Sequence, residues 1–286
     1  MFRDIPAVAL VDPLNQDFDR SIAVDGFFDI YLQRDPGAVA VSGGVLGAQT
    51  IQALAIDDQF VDYFFHSVEA LDQQIVLDFR FIDSPQEADL RIYFDTSIDI
   101  PDSSSEILGL ALPNQIEGQA PFWEIMLNKP AFSDNVNYLK YALLHELGHT
   151  LGLEHPFDPS DGDVFGSTSP WDGNSALPSE TVMAYRSPLF GLWSNAFTDN
   201  DLRALKLIWG DENVDPLIDG GLLAHDDHHL RRVETIWDEY VHVLALDDSV
   251  LSGVHSNSDL DWLFGSCKAS LSHSHIFDDE NFTHIH

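Results

Sequence analysis

The sequence predicts an α+β domain, and three observations lead to this prediction. Short apolar runs with the two-residue alternation of strands occupy the middle of the chain, whereas two later segments carry apolar residues at helical spacing. The chain has 286 residues and 44% hydrophobic content, enough to bury a full core. We expect one main domain over residues 49–212. An extension or propeptide-like segment (1–48) precedes it, and an acidic, histidine-rich extension (213–286) follows it.

The first half of the main domain is predicted to contain one helix and several strands. Asp57 or Asp58 is placed to cap a helix that continues through Val68. Four runs with strand character follow this helix: 75–81, 88–94, 107–112 and 122–127. The segment 137–144 then begins a second helix.

This second helix carries the residues that indicate a metal centre. His145 and His149 are four residues apart, so they lie about 40° apart around a helix axis and about 6 Å apart along it. Both imidazoles are therefore able to bind one zinc ion at about 2.0 to 2.1 Å. Glu146 is turned by about 100° from His145 and reaches past the metal toward a water molecule. A carboxylate in that place is a natural proton acceptor.

His155 completes the predicted ligand set, provided that the helix ends before it. In a continuous helix His155 would lie about 9 Å beyond His149, too far to share its ion. Gly152 favours a left-handed turn at a helix end, and Pro156 prevents the helix from resuming. Three imidazoles leave a fourth position open, which is typical of catalytic zinc sites. A bare HExxH pattern also arises by chance, but the added Gly152 and His155 make that explanation weak.

These residues resemble the metzincin signature HExxHxxGxxH, and the segment Thr181-Val182-Met183-Ala184-Tyr185 resembles its methionine turn, in the form found in serralysin-like and astacin-like members. The resemblance implies a zincin-like fold with an α/β upper subdomain, a twisted and mostly parallel sheet, an active-site helix, a Met-turn and a C-terminal helix. It also implies that Met183 lies as an apolar floor beneath the zinc ligands. Tyr185 would lie near the metal, where it ligates the ion or donates to the transition state. Methionine alone is more often simple core filler.

Two further segments narrow the resemblance to serralysin-like and matrixin-like enzymes. His155-Pro156 has the proline that is typical of the former, and residues 197–210 resemble the closing helix of both catalytic domains. Thr198 is an N-cap, Asp199 and Asp201 lie in the first turn, and Gly210 ends the helix. The predicted buried stripe is formed by Leu202, Leu205 and Ile208 or Trp209.

The resemblance also implies how a substrate binds. In this fold an edge strand pairs with an extended peptide, and we assign residues 107–112 to that role. The alternative is an apolar edge that a loop covers. The pocket wall would come from residues 157–179 and from the segment after Tyr185, with Trp171 and Phe190 as shaping residues.

The chemistry implied is that of a zinc-dependent metalloendopeptidase acting on protein or peptide substrates. His145, His149 and His155 would hold the ion, Glu146 would be the general base, and Tyr185 would stabilise the oxyanion. Two alternatives stay open: an inactive or intracellular zinc-binding relative, and a calcium-dependent adhesion or structural protein.

Charge and hydropathy exclude several partners. The net charge of −35 disfavours binding to nucleic acid and to anionic membranes. No apolar run approaches the roughly 20 residues of a membrane span, and residues 1–7 lack the pattern of a signal peptide. We expect a monomer that is exported without a cleaved signal, with a cytoplasmic location as the alternative.

Calcium is a possible second cofactor. Acidic residues cluster in 95–102 and 158–163, although no EF-hand spacing is present and the C-terminal GGxGxD array of serralysin-like proteins is absent. Solubility in salt-rich surroundings is the alternative reason for the acidity. Cys267 is the single cysteine, so intramolecular disulfides are impossible, and an inert buried thiol is the expected role.

The C-terminal extension is distinguished by its histidines. Their spacing matches no closed tetrahedral zinc pattern, so they are either incidental or part of an adventitious or regulatory metal site. A helix over 233–246 is expected here. The histidines are His225, His228, His229, His242, His255, His273, His275, His284 and His286.

Overall fold

The structure, a computed structural model, describes residues 2–13, 15–98, 107–132 and 135–213. The α-helices of this part are α1 (Gln16–Ile22), α2 (Asp58–Asp72), α3 (Val136–Thr150) and α4 (Asp199–Trp209). Its strands are β1 (Phe27–Leu32), β2 (Gly37–Val41), β3 (Gln49–Ala53), β4 (Asp78–Phe81), β5 (Leu90–Asp95), β6 (Gly109–Asn114) and β7 (Phe122–Asn128). This content agrees with the predicted α+β class.

The strands form one sheet with both parallel and antiparallel pairings. β4, β1, β5 and β7 are neighbours in that order and run parallel, and β6 then pairs antiparallel with β7. The hairpin of β2 and β3 joins the end of β5 through Ala53 and Asp95. The sheet is therefore mixed, rather than mostly parallel as the resemblance implied. Short connections before β3 and before β7 leave no room for crossover helices, so these neighbours pair antiparallel.

The N-terminal segment contributes to this sheet. β1 lies between β4 and β5, with Phe27 opposite Asp78 and Ile30 opposite Leu90. The sheet thus crosses the domain boundary that the sequence suggests at residue 48. The partners of β1 follow it by about fifty residues or more, so no local pattern reveals the pairing.

The predicted helix after residue 57 is confirmed as α2. The Asp57 side chain accepts a hydrogen bond from the Phe60 amide at 2.9 Å, which satisfies a free N–H at the helix start. Phe60 packs edge-on against Phe94 of β5, with ring centroids 5.0 Å apart. The buried face of α2 is Phe60, Phe64, Val68 and Leu71.

The remaining strand predictions hold with shifted ends. The run 75–81 forms strand only from Asp78, because Ile75 instead makes an isolated bridge with Asp211 after α4. β6 begins at Gly109 and, among the described strands, pairs with β7 alone. It therefore ends the sheet beside α3.

Within the described residues no helix is long and apolar enough to cross a membrane. The predictions for the histidine-rich extension, the helix 233–246 and Cys267 lie outside the described residues, as does the acidic segment after residue 98.

Candidate metal centre

α3 carries the first part of the site in the interior of the domain. The Asn135 side chain caps the helix by accepting from the Tyr138 amide at 3.1 Å. From Tyr141 to its last residue, Thr150, every residue of the helix is buried. The helix therefore lies between the sheet and the turns that follow it, and the rings of His145 and His149 are 4.9 Å apart at their centroids. The predicted position of both histidines on one face is confirmed.

The chain leaves α3 through a turn that only glycine accommodates. Gly152 has a φ of +88°, and a Cβ there would lie 3.1 Å from an Asp19 carboxylate oxygen and 3.2 Å from the Ile208 side chain. Residues 152–154 then run beside the N-terminal segment: the Asp12 amide donates to the Gly152 carbonyl at 2.9 Å, and the Glu154 amide to that of Leu10 at 3.0 Å. This backbone pairing returns His155 to the helix.

The structure brings the three predicted histidines together. Their ring nitrogens lie within 4.8 Å of one another, and the Nε2 atoms of His145 and His155 are 3.1 Å apart. Two nitrogens of a tetrahedral zinc ion are separated by about 3.3 Å, so this spacing fits one shared ion. All three side chains are buried.

Backbone carbonyls fix the orientation of two of the rings. Nδ1–H of His145 donates to the Val182 carbonyl at 2.7 Å, and Nδ1–H of His149 to that of Leu153 at 2.9 Å. A carbonyl only accepts, so each ring carries its proton on Nδ1 and presents the lone pair of Nε2. These are the second partners that metal-binding histidines usually have.

His155 is oriented by ring packing instead. Its Nδ1 is buried and has no hydrogen-bond partner among the described residues. Phe157 stacks on the imidazole with ring planes 10° apart and centroids at 4.7 Å, and Tyr185 packs edge-on at 4.6 Å. Ring stacking restricts the orientation of the imidazole plane, but it does not determine which ring nitrogen carries the proton.

Burial also keeps these rings neutral, the form that binds metal. Burial lowers the pKa of His145 to about 4, although the Val182 carbonyl acts in the opposite direction. Burial and the neighbouring His145 lower the pKa of His149 to about 3. The pKa of His155 is likewise well below its ordinary value, through burial first and then through His149 and His145. The donor set is therefore three neutral imidazoles at neutral pH.

Glu146 is buried between α3 and β6. Burial raises the pKa of its carboxyl to about 8, while a hydrogen bond from the Ala111 backbone acts to lower it. Gly109 leaves the space for this side chain, because a Cβ at that position would lie 2.7 Å from Glu146 Oε1. A carboxyl with this environment is suited to gain and lose a proton near neutral pH.

The predicted methionine turn lies directly beneath the helix. Met183 is fully buried, and a Cβ on Gly148 would lie 2.7 Å from its sulfur, so the thioether occupies the space that the missing side chain leaves. The Val182 amide donates to Asp201 at 3.1 Å, and the Thr181 hydroxyl donates to the other oxygen of the same carboxylate. The turn is thereby fixed to the start of α4.

Tyr185 extends from this turn toward the histidines. Its ring lies 5.4 Å from that of His145 and 4.6 Å from that of His155, centroid to centroid. Trp171 stacks on the Tyr185 ring at 5.8 Å, and within the part of the chain that the structure describes its buried indole N–H has no hydrogen-bond partner. Phe190, the other residue expected to shape the pocket, is 95% exposed.

α4 agrees with its prediction in most details. Thr198 and Asp201 form a capping box, and Gly210 follows the last turn with a φ of +94°. Leu205 and Ile208 are buried as predicted, whereas Leu202 and Trp209 are only half-buried. Asp201 is fully buried, although its place in the first turn of the helix does not predict burial.

Sequence reasoning missed the residues that support the site from a distance: Gly109, Gly148 and Asp201. Two of these residues could have been found from the sequence: Gly148 lies inside the histidine motif, and Asp201 follows Thr198 at the spacing of a capping box. Gly109 could not, because its contact with Glu146 depends on how β6 meets α3.

A helix that presents two histidines, and a turn that returns a third histidine to it, together form a cluster that could hold a metal ion. The chain is 38% identical over 98 residues to serralysin of Photorhabdus luminescens, a match that covers 29% of this chain and 20% of that protein. It is 30% identical over 117 residues to serralysin of Photorhabdus laumondii subsp. laumondii, covering 36% and 24%. The chain thus spans about a fifth to a quarter of the curated relatives that it matches.

No family model matches the chain. Among solved structures, the GM1-bound form of the ECX AB5 holotoxin aligns with 66% of this chain and 82% of that one, at 12% identity and a TM-score of 0.34. A likeness of that size carries no weight for fold or function. The similarity to serralysins is therefore partial, and the histidine cluster could hold a metal ion.

Proposed function

We propose that the protein is a zinc-dependent metalloendopeptidase. The observation that carries this proposal is the convergence of His145, His149 and His155, with the buried carboxyl of Glu146 on the same helix. Their three neutral nitrogens form a donor set that zinc prefers, and Glu146 is a carboxyl of the same helix that is able to move a proton. The similarity to serralysins supports the same chemistry.

In this proposal each side chain has one task. The histidines would hold the ion, and a bound zinc ion would supply Lewis acidity to the scissile carbonyl and to a neighbouring water. Glu146 accepts the proton of the attacking water and later delivers it to the leaving nitrogen. The hydroxyl of Tyr185 donates a hydrogen bond to the oxyanion, a contribution of about 2 to 4 kcal/mol in comparable sites. Met183 only supports the helix.

β6 is the proposed binding edge for the substrate. The strand ends the sheet among the described residues and passes Glu146 at Gly109 and Ala111. An extended peptide that adds to this edge would lie across the metal centre, with recognition through its backbone. Side chains of the substrate would meet the wall formed by Trp171 and Tyr185. A peptide substrate, a monomeric state and export from the cell stay predictions.

Two measurements on the full chain test this function. We expect one zinc ion per chain after dialysis, and cleavage of an unfolded protein such as casein that a chelator abolishes and added zinc restores. The variant His149→Ala should lose both the zinc and the cleavage. Zinc retention without any cleavage would instead favour an inactive zinc-binding relative, and cleavage that survives chelation would contradict the proposal.

A further inference from the structure

The loop 166–174, between the third histidine and the methionine turn, is closed where its two ends meet. Gly166 has a φ of +82°, and a Cβ there would lie 2.1 Å from the carbonyl oxygen of Asn174. The backbone of Gly166 therefore lies directly against that carbonyl, an approach that no residue with a side chain permits. We call this point the neck of the loop.

Trp171 connects this loop with the candidate metal centre. Its indole stacks on the Tyr185 ring, with centroids 5.8 Å apart and ring planes 25° apart, and Tyr185 in turn packs against His155 at 4.6 Å. All of 166–174 lies in the described part of the chain, and none of it is helix or strand. The position of Trp171 therefore depends on contacts that hold the loop from outside.

Arg3 supplies such contacts on both sides of the neck. Its Nη1 donates to the Asn174 carbonyl at 2.6 Å, and its Nη2 donates to the Ser175 carbonyl at 2.8 Å. The same guanidinium lies 5.0 Å from the centroid of the Phe165 ring, the residue just before Gly166. A single side chain of the N-terminal segment thus holds the two ends of the loop together.

Glu180 fixes the guanidinium in this place. The Arg3 amide and Nε donate to its Oε1 at 3.0 and 2.8 Å, and Nη2 donates to its Oε2. The Glu180 side chain is only 4% exposed, and Thr181 of the methionine turn follows it directly. A bidentate pair of this kind sets the plane of the guanidinium, which a lysine ammonium would not do. The neck is thereby tied to the methionine turn.

A second arginine acts on the same carbonyls from the other side. Nη1 of Arg186, the residue after Tyr185, donates to the carbonyls of Gly173 and Ser175, each at 2.8 Å. The Ser175 carbonyl therefore accepts from both arginines. In a chain with 13 basic and 48 acidic residues, two guanidinium groups at one short loop favour a specific role over general surface charge.

We propose that Arg3 is a positioning residue for substrate binding: it holds the neck of the loop 166–174, and so keeps Trp171 in the wall beside Tyr185. Arg3 acts through Trp171 and takes no part in the chemistry. This inference rests on the proposed peptidase function. It predicts that loss of Arg3 lowers the fraction of molecules whose wall is correctly placed, which weakens substrate binding by the same factor.

Hydrogen exchange of the full chain tests the hold on the loop without reference to activity. Arg3→Met removes the donors and keeps a long side chain, and Arg34→Met, which breaks an exposed ion pair with Asp58, is the matched control. We expect amides of 165–175 to exchange at least about 10-fold faster in Arg3→Met than in the control or the wild type. Unchanged exchange in α2 would show that Arg3→Met is folded. Equal exchange of 165–175 in all three chains would overturn the proposal.

Peptide kinetics test the consequence for substrate. In Arg3→Met we expect KM for casein-derived peptides to rise about 3- to 10-fold, with kcat within about 2-fold of the wild type, because only binding is affected. Zinc content should not change, and Arg34→Met should match the wild type. Arg186→Met withdraws the other guanidinium and should raise KM as well, so the test does not depend on one variant.

The outcomes separate this inference from the proposed function. A fall in kcat at unchanged KM, or unchanged kinetics despite faster exchange of 165–175, would contradict a positioning role in substrate binding. Absence of cleavage by the zinc-loaded wild type would contradict the proposed function and, with it, the role of Arg3 in binding. The exchange data distinguish that failure from a failure of the Arg3 contacts, since they need no substrate.

Discussion

Two glycines make the candidate site possible by lacking side chains. Gly148 of α3 leaves space for the sulfur of Met183, and Gly109 of β6 leaves space for the Glu146 carboxyl. Neither has a left-handed backbone, so their role is the space that they leave rather than conformational freedom. At both positions even a methyl group would displace a residue of the site.

Gly109→Ala tests the position of Glu146. The added Cβ would lie 2.7 Å from Oε1 and 2.9 Å from the Leu127 side chain, so the carboxyl must move. We expect kcat/KM for casein-derived peptides to fall about 10- to 100-fold, because small displacements of a general base are costly. Zinc content should stay at the wild-type value. Gly173→Ala is the matched control, since a Cβ there meets nothing within 4 Å; equal activity of both variants would argue against this role of Gly109.

At the scale of elements, α4 supports the metal centre without touching it. Asp201 accepts hydrogen bonds from Thr198 of its own cap and from Thr181 and Val182 of the methionine turn. The Val182 carbonyl in turn accepts from His145. A continuous path of hydrogen bonds thus runs from the start of α4 to a proposed zinc ligand.

Removal of this carboxylate should affect both stability and metal binding. We expect Asp201→Ala to lower the free energy of unfolding by about 2 to 4 kcal/mol, because it leaves buried donors unpaired. Zinc affinity should fall as well, because Val182 loses the hydrogen bond from its amide to Asp201 and its carbonyl then orients His145 less firmly. Asp199→Ala, an exposed change in the same helical turn, should cost only about 0.3 to 1 kcal/mol and leave zinc affinity intact. Chemical denaturation measures the stability, and competition with a chelator measures the zinc affinity. Equal zinc affinity in both variants would contradict a role of this hydrogen-bond path in metal binding.

Elements with local signals were predictable from the sequence. Asp57, Thr198 and Gly210 mark helix ends through contacts within a few residues, and all three act as expected. The motif likewise predicted that the three histidines lie together. The place of β1 between β4 and β5, and the contact of Gly109 with Glu146, depend on residues far apart in the chain. Periodicity does not encode such pairings.

At the scale of the whole molecule, the N-terminal segment belongs to the same structure as the metal centre. Arg3 donates from Nε to one carboxylate oxygen of Glu180, just before the methionine turn, at 2.8 Å. The Ile5 amide donates to the Asn200 side chain of α4 at 3.1 Å. These contacts and β1 give residues 2–48 a structural role in the described fold.

A chain that begins at residue 49 should therefore fail to fold. It would lack β1, so β4 and β5 would each lose a partner, and buried Ile5 and Leu10 would leave cavities. We expect insoluble protein, or a soluble form that does not unfold cooperatively on heating. A folded, zinc-binding chain from residue 49 would instead support a removable propeptide.

The buried carboxyls give the metal-free protein a distinctive dependence on pH. Burial raises the pKa of Glu146 to about 8, and burial with neighbouring acids raises that of Glu154 to about 10. In the unfolded chain both ionise near pH 4.5, so at about pH 7 to 8 the folded state binds more protons. Stability should then fall as pH rises, by about 1 to 3 kcal/mol over that unit. The three histidines of the site, with lowered pKa values, are neutral in the folded state. In the unfolded chain each is still about one-quarter protonated at pH 7, which offsets a small part of this fall.

Urea denaturation of the chelated protein at several pH values measures this slope. Glu146→Gln removes one of these raised carboxyls, so its slope between about pH 7 and 8 should be smaller. A wild-type stability that is flat or rises across this range would contradict the buried, protonated state of these side chains.

The central claim is that Glu146 moves protons for hydrolysis at a zinc ion held by the three histidines. Its most direct test is the rate of casein cleavage by Glu146→Gln, measured beside the wild type at equal zinc content. The amide fills the same space but cannot accept the proton of water, so we expect zinc to remain and cleavage to fall by at least about 100-fold. Cleavage near the wild-type rate by this zinc-loaded variant would contradict the account.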